Sequence, residues 1–214
     1  QTNSWNPWSL TLKALKSFGE IVSEHQIKNI IEFGSGGSTA WLGRFIIDHK
    51  LKTAITSLEH VREYYDMTLR AIKDVPNINL RYVPLMSVPD HIFEAMFTDD
   101  DPQALFQNNK RPVSNPLNTI AHNTFYDCVF ESVGYDAIIL DGPNGNGRSL
   151  AFPLLKQMVE SPCYLLLDDC GYYPFIQQMQ RVFITEQLHY EIVPSPNKAW
   201  SVFKINGINK HAPA

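Results

Sequence analysis

The sequence runs to 214 residues, 44% hydrophobic and 19% charged, which is the balance of a globular chain with a buried core and not of a disordered one. Its formal net charge is -4 and its pI about 6.0, which argues against a nucleic-acid binder working by bulk phosphate neutralisation. Its apolar runs are strand-sized, so no membrane span is expected, and the opening QTNSWNPWSL lacks the basic and apolar regions of a signal peptide.

The first periodic segment is Ser9 to Ser23, where Leu10, Leu12, Leu15, Phe18, Ile21 and Val22 form a helical stripe. A short apolar run, Ile30-Ile31-Glu32-Phe33, reads as a strand that ends in Gly34-Ser35-Gly36-Gly37-Ser38-Thr39. Ala40 to His49 reads as a helix, Thr53 to Leu58 as a strand ending at Glu59, Val61 to Lys73 as a helix, and Asn79 to Val83 as a third strand. From Leu85 to Gly134 the rhythm breaks, over a stretch longer than a plain crossover needs. Helices are expected there near Pro89 to Phe97 and Thr119 to Val129, around a polar centre. The segment, about 85–134, is too poor in apolar residues for a core of its own, so it reads as a cap-like insertion within one domain spanning 1–214.

Tyr135 to Leu140 is the fourth strand, Leu150 to Val159 a helix, Cys163 to Leu167 the fifth strand, and Pro174 to Leu188 a helix. His189 to Val193 and Trp200 to Ile205 close the chain as a hairpin, since so short a connection excludes a parallel return. The tail from Gly207 is expected to fray. This order predicts an α/β fold: a doubly wound, mostly parallel, seven-stranded Rossmann-like sheet with an antiparallel C-terminal hairpin. Cys128, Cys163 and Cys170 make neither a disulfide framework nor a zinc spacing, which suits a reducing, cytoplasmic setting. The chain is also compatible with a place in a larger multidomain protein.

Ligands of such sheets bind beyond the carboxyl ends of the strands. Gly34, Glu59, Asp141, Asp168 and Asp169 all fall there. Glycines let the turn bend and a ligand approach its backbone. The dinucleotide pattern G-x-G-x-x-G fails at Thr39, so the turn alone is weak evidence for a ligand, a plain turn being the alternative. Glu59, twenty-five positions after Gly34, sits where a carboxylate can take both hydroxyls of a ribose, or simply face solvent. Three carboxylates crowded on one rim repel unless a cation or proton separates them, and oxygen-only ligands suit Mg²⁺, Ca²⁺ or Mn²⁺. The same aspartates are also ordinary helix caps.

In order, Glu32-Phe33-Gly34-Ser35-Gly36-Gly37-Ser38-Thr39, Ser57-Leu58-Glu59-His60, Tyr135 to Pro143, and Leu165-Leu166-Leu167-Asp168-Asp169 resemble the successive motifs of class I S-adenosylmethionine (SAM)-dependent methyltransferases. The resemblance covers about 29–205, without a match in 85–134. It implies that Glu32, Gly34, Ser35, Gly36, Gly37 and Ser38 cradle the methionine end and that Glu59 holds the ribose. His60, Met86 and Ser87 would border the adenine, with Asp141 near the sulfonium. Asp136 lies inside its strand and reads as a surface residue of the strand start.

The strand-end carboxylates resemble those of divalent-metal-dependent O-methyltransferases, with Asp141, Asp168 and Asp169 as Mg²⁺ ligands and Asp141 and Asp168 in the catalytic set. Asp141-Gly142-Pro143-Asn144-Gly145-Asn146-Gly147-Arg148 is similar to a branch acting on polysaccharide or glycoside hydroxyls. Arg148 would anchor that loop, contact an anionic sugar or pair with a surface carboxylate. Asn144 stands where related enzymes carry a Lys or His base, although an amide cannot take a proton. His60, His91 and His122 are the candidate bases, His122 being placed in the catalytic set, while His25, His49, His189 and His211 read as surface residues. Trp5 and Trp8 would cover the cleft or pin the N-terminal arm.

The expected function is therefore O-methylation of a sugar, glycan or small hydroxylated acceptor, with no nucleic-acid partner. The alternatives are a catechol-like small-molecule O-methyltransferase and a non-catalytic methyltransferase-like binding module.

Overall fold

The computed structural model describes residues 10–113, 120–128, 134–194 and 198–210. The chain opens with helix α1 (Leu12–Glu24), whose first turn is capped by Thr11: its hydroxyl accepts from the Ala14 N–H at 3.1 Å. Strand β1 (Asn29–Phe33) leads to α2 (Gly37–Asp48), β2 (Ala54–Glu59) to α3 (Arg62–Ala71), and β3 (Ile78–Tyr82) follows. After β7 (Tyr135–Leu140) come a 3₁₀ turn over Gly145–Leu150, α6 (Ala151–Leu155), β8 (Val159–Leu167) and α7 (Phe175–Val182). The hairpin β9 (Phe183–Ile192) and β10 (Ala199–Ile208) ends the sheet.

The seven-stranded sheet has the order β3-β2-β1-β7-β8-β10-β9. Pairing is parallel from β3 to β8, and β10 runs antiparallel to both β8 and β9. The expected fold is the observed one. Alternation along the strands divides the core: Ala137 and Ile139 face α1 and α2, whereas Ile138 and Leu140 face the helices of the opposite layer. Both faces are covered, so the central strands are mostly apolar, with Glu32 of β1 and Ser57 of β2 as buried polar exceptions. Cys128, Cys163 and Cys170 are all buried.

The segment between β3 and β7 carries β4 (Leu85–Ser87), α4 (Asp90–Met96), α5 (Pro102–Asn109), β5 (Arg111–Pro112) and β6 (Thr124–Tyr126). Its strands form a second, antiparallel sheet in the order β5-β4-β6. Phe93, Met96, Phe106, Phe125 and Tyr126 belong to the same buried cluster as Phe33 and Leu140, so the segment packs onto the main sheet.

Three sequence expectations are corrected. The helix predicted over Thr119 to Val129 is replaced in its described part by β6, because the Thr-Phe-Tyr run pairs with Leu85, Met86 and Ser87. The helix predicted to run to Leu188 stops at Val182, and Phe183 to Gln187 pair with β10 instead, tertiary pairing overriding the helix propensity of Glu186 and Gln187. In its described part, to Lys210, the tail expected to fray from Gly207 is tied down, with the Asn209 N–H donating to the Val182 carbonyl at 2.7 Å. Trp5, Trp8, His211 and the hairpin turn at 195–197 lie outside the described residues. Among the described residues no helix is long and apolar enough to cross a membrane.

The chain turns outward from β1 to β2 and β3, then returns to β7 on β1's other side, so the crevice between β1 and β7 is the topological switch point. Here two glycines are required. Gly34 has φ +91°, and a Cβ on it would lie 2.8 Å from the Gly142 backbone nitrogen. A Cβ on Gly142 would lie 2.5 Å from the Tyr126 hydroxyl and 2.8 Å from the Gly34 Cα. Backbone cannot yield as a flexible side-chain tip does. Gly142→Ala is therefore expected to cost about 3 kcal/mol, at the upper end of overpacking penalties, measured as a lowered urea midpoint with an unchanged slope.

Candidate active site at the carboxyl ends of the strands

The glycine turn is braced from below. Glu32, fully buried in β1, accepts from the hydroxyls of Ser38 at 2.6 Å, Thr39 at 2.5 Å and Ser57 at 2.6 Å. Thr39 Oγ1 in turn accepts from the Gly36 N–H at 3.0 Å, so the failed third glycine position is a structural tie. Glu32 and Ser38 thus face inward, while Ser35 and Gly36 stay half-buried and Gly37 is exposed at the start of α2.

Burial holds the Glu32 carboxyl above its usual range, against the pull of the three hydroxyls. Burial raises Glu59, Asp141 and Asp168 as well. A raised native carboxyl binds more protons than the unfolded chain just above the ordinary carboxylate range, so stability falls as pH rises through that window. The urea midpoint is expected to increase from about pH 8 to about pH 5.5. Glu32→Gln, whose amide can still bond the three hydroxyls, should reduce that slope.

Glu59 ends β2 and is only 2% exposed. Its Oε1 accepts from the N–H groups of His60 and Val61, each at 2.8 Å, and its Oε2 accepts from the Ser35 N–H at 3.0 Å. Three backbone donors therefore fix one carboxylate against the glycine turn. His60 Nδ1 lies 3.3 Å from both Glu59 Oε1 and the Tyr126 hydroxyl, whose ionisation burial opposes. Met86 and Ser87 lie in β4, and the next-door pair Leu85–Tyr126 links that strand to the rim. Asp136 accepts at 2.9 Å from the N–H groups of both Lys28 and Asn29, which tethers the start of β1.

Asp141, Asp168 and Asp169 do converge, around Arg148. Its Nη1 lies 3.0 Å from Asp169 Oδ2 and donates at 2.9 Å to the Asp168 carbonyl. Its Nη2 donates to the Asp141 carbonyl and lies 3.7 Å from Asp141 Oδ1. The Lys198 ammonium, also buried, sits 3.2 Å from Asp168 Oδ2 and 3.9 Å from Asp169 Oδ1. Asp168 is fully buried, whereas the side chains of Asp141 and Asp169 keep 18% and 16% of their surface exposed. Asp169 adopts φ +55°, a left-handed conformation that Asp tolerates better than most residues. Burial and the facing Asp168 push the Asp141 carboxyl well up.

This arrangement does not fit the expected Mg²⁺ site. A divalent cation needs a shell of free oxygen ligands, and each of these three carboxylates already faces a guanidinium or ammonium. Among the described residues no group of three or more His, Cys, Asp or Glu side chains is arranged to hold a metal ion. Arg148 is buried and spent on the cluster, so it neither contacts a substrate nor pairs at the surface. His122 lies 3.4 Å from Asp90 and stacks edge-on against Phe93, both within the insertion. His91 is exposed on α4, and Asn144 is exposed just before the 3₁₀ turn, one residue beyond Pro143. Lys198 and Tyr126 are the rim residues that sequence reasoning missed. Lys198 read as one polar residue of a hairpin turn, and Tyr126 was hidden in a predicted helix.

No family model and no curated protein matches the chain. Solved structures do. A SAM-dependent O-methyltransferase from Thermotoga maritima is 12% identical, with a TM-score of 0.59 over 98% of this chain and 70% of that one. An O-methyltransferase from Bacillus cereus in complex with SAH is 14% identical, with a TM-score of 0.53 over 94% of this chain and 84% of that one. The O-methyltransferase TomG from Streptomyces achromogenes, involved in tomaymycin synthesis and solved with SAM, is 11% identical, with a TM-score of 0.53 over 94% and 82%. At these identities the likeness is one of fold, and the chain has the fold of these SAM-dependent O-methyltransferases.

Proposed function

We propose that this chain is an O-methyltransferase that transfers the methyl group of SAM to a hydroxyl of a sugar, glycan or similar polyhydroxylated acceptor. The observation that carries the reading is Glu59, held by three backbone donors beside the glycine turn at the switch point. Those donors fill Oε1 and half of Oε2, and the lone pair left on Oε2 can take a ribose hydroxyl. Gly34 and Gly142 keep Cβ atoms out of the crevice, and the backbone of Ser35, Gly36 and Gly37 forms the cradle of the methionine end. SAM has no phosphate, so the missing dinucleotide fingerprint at Thr39 is no obstacle. His60, Met86 and Ser87 border the adenine. Solved relatives of the same fold with SAM or SAH support this assignment.

When bound, SAM supplies an electrophilic methyl on a sulfonium. Asp141, at the β7 side of the crevice, tolerates that positive charge and orients the acceptor hydroxyl. The acceptor oxygen bonds to the methyl carbon in line as the carbon–sulfur bond breaks, and the hydroxyl proton passes to the Asp141–Asp168 pair. Exposed Asn144 and the open edge of Asp169 offer further hydrogen bonds to a polyol. A phenolic acceptor would want an aromatic pocket. The insertion's Phe93, Phe106 and Phe125 are instead fully committed to the core.

A methyl-transfer assay with labelled SAM over oligosaccharides, glycosides and catechols tests the acceptor class. Product on the sugars is the expected result. Product on catechols alone would overturn the sugar assignment, and no product despite SAM binding would favour the binding module.

A further inference from the structure

We infer that Lys198 and Arg148 are built-in counter-ions standing where a divalent cation would otherwise lie, so that the rim carboxylates engage an acceptor directly and not by chelation. The last clause rests on the methyl-transfer reading; the counter-ion assignment does not.

The geometry is that of a filled charge cluster. Three carboxylates from the ends of two neighbouring strands, β7 and β8, meet two cations from elements further along the chain. Arg148 belongs to the 3₁₀ turn after β7, and Lys198 directly precedes β10, the strand paired with β8. Arg148 spans Asp141 and Asp169 like a fork, and Lys198 spans Asp168 and Asp169 from the other side. Every carboxylate therefore has a cation within 4.0 Å, and Asp169 has two. Both cations are 1% exposed. Burying a Lys and an Arg is costly unless each is paired, so their presence here is set by the carboxylates they neutralise. A hydrated divalent ion and a buried ammonium compete for the same oxygens, and only one can lie against Asp168 and Asp169.

The consequence for recognition follows. A metal selects acceptors with two adjacent chelating oxygens, as in a catechol. Asp141, whose partly exposed side chain is steadied by Arg148, selects a single hydroxyl by hydrogen bonding, which suits an isolated hydroxyl on a polyol ring.

The test is manganese binding, read by isothermal calorimetry and by the paramagnetic resonance signal of free Mn²⁺, in the absence of SAM. The intact chain is expected to leave the free Mn²⁺ signal unchanged, with a melting temperature indifferent to Mn²⁺ and EDTA. Lys198→Ala and the length-matched Lys198→Met uncover Asp168 and Asp169, and are expected to bind one Mn²⁺ and to melt higher with the metal than with EDTA. Lys198→Arg restores the charge and should again bind none. If the neutral variants fold poorly, Mn²⁺ added during refolding should rescue them. Stoichiometric Mn²⁺ binding to the intact chain at this cluster would overturn the inference. So would neutral variants that neither bind the metal nor are rescued by it. Because no arm needs SAM or turnover, failure here is distinct from failure of the methyltransferase assignment.

Discussion

Glu59→Ala is expected to lower the affinity for SAM by about 100-fold, the largest effect on binding of any single substitution at the rim. A ribose hydroxyl donating to the one acceptor site left on an ionised carboxylate is worth up to about 3 kcal/mol, which corresponds to a factor of roughly 100. The substitution also strands the N–H groups of Ser35, His60 and Val61, which Glu59 now accepts from. A fall in melting temperature is therefore expected alongside, and Glu59→Gln separates the two effects. The amide keeps one oxygen for the backbone but cannot accept from both sides, so binding should suffer more than stability. Equal affinity in the intact chain and Glu59→Gln would remove Glu59 from the ribose site.

Arg148→Met is expected to have the largest effect on stability, about 3 to 5 kcal/mol, because it leaves buried carboxylates uncompensated. The guanidinium touches all three strand-end aspartates, through the side chains of Asp141 and Asp169 and the carbonyls of Asp141 and Asp168. Its ring-face contact with Phe175, 5.7 Å to the centroid, is also lost. For a chain of this size the loss corresponds to roughly 10 °C in melting temperature. Arg148→Lys should recover only part of it, since an ammonium cannot serve the fork of acceptors at once. The deficit should shrink at mildly acid pH, where protonating Asp141 or Asp168 relieves the unpaired charge. A deficit that does not vary with pH would mean that packing, and not charge, explains the role of Arg148.

Four of the five parallel strands were legible because each ends in an apolar run closed by a glycine or a carboxylate. Phe33-Gly34, Leu58-Glu59, Leu140-Asp141 and Leu167-Asp168 mark the ends of β1, β2, β7 and β8 to within a residue. The convergence of those ends on one rim followed from topology alone. Less legible were segments whose structure depends on distant partners. Thr124-Phe125-Tyr126 forms a strand because Leu85, Met86 and Ser87 lie beside it. Phe183 to Leu188 extends because β10 needs an edge partner along its whole length.

The charge state of the rim was misread for a related reason. Sequence motifs reveal the carboxylates, which sit at predictable strand ends, but a neutralising cation can arrive from anywhere in the chain. Lys198 comes from a hairpin thirty residues after Asp168, with no local pattern to mark it. Glu32 was singled out for the cofactor cradle, and its three hydroxyl partners make it a brace for the turn.

The central claim, that the crevice between β1 and β7 holds SAM, is tested most directly by calorimetric titration of the intact chain with SAM and with SAH, using NAD as the control. Micromolar binding of both at one site per chain, none of NAD, and loss in Glu59→Ala is the expected result. No binding of either compound, or binding that survives in Glu59→Ala, would contradict it.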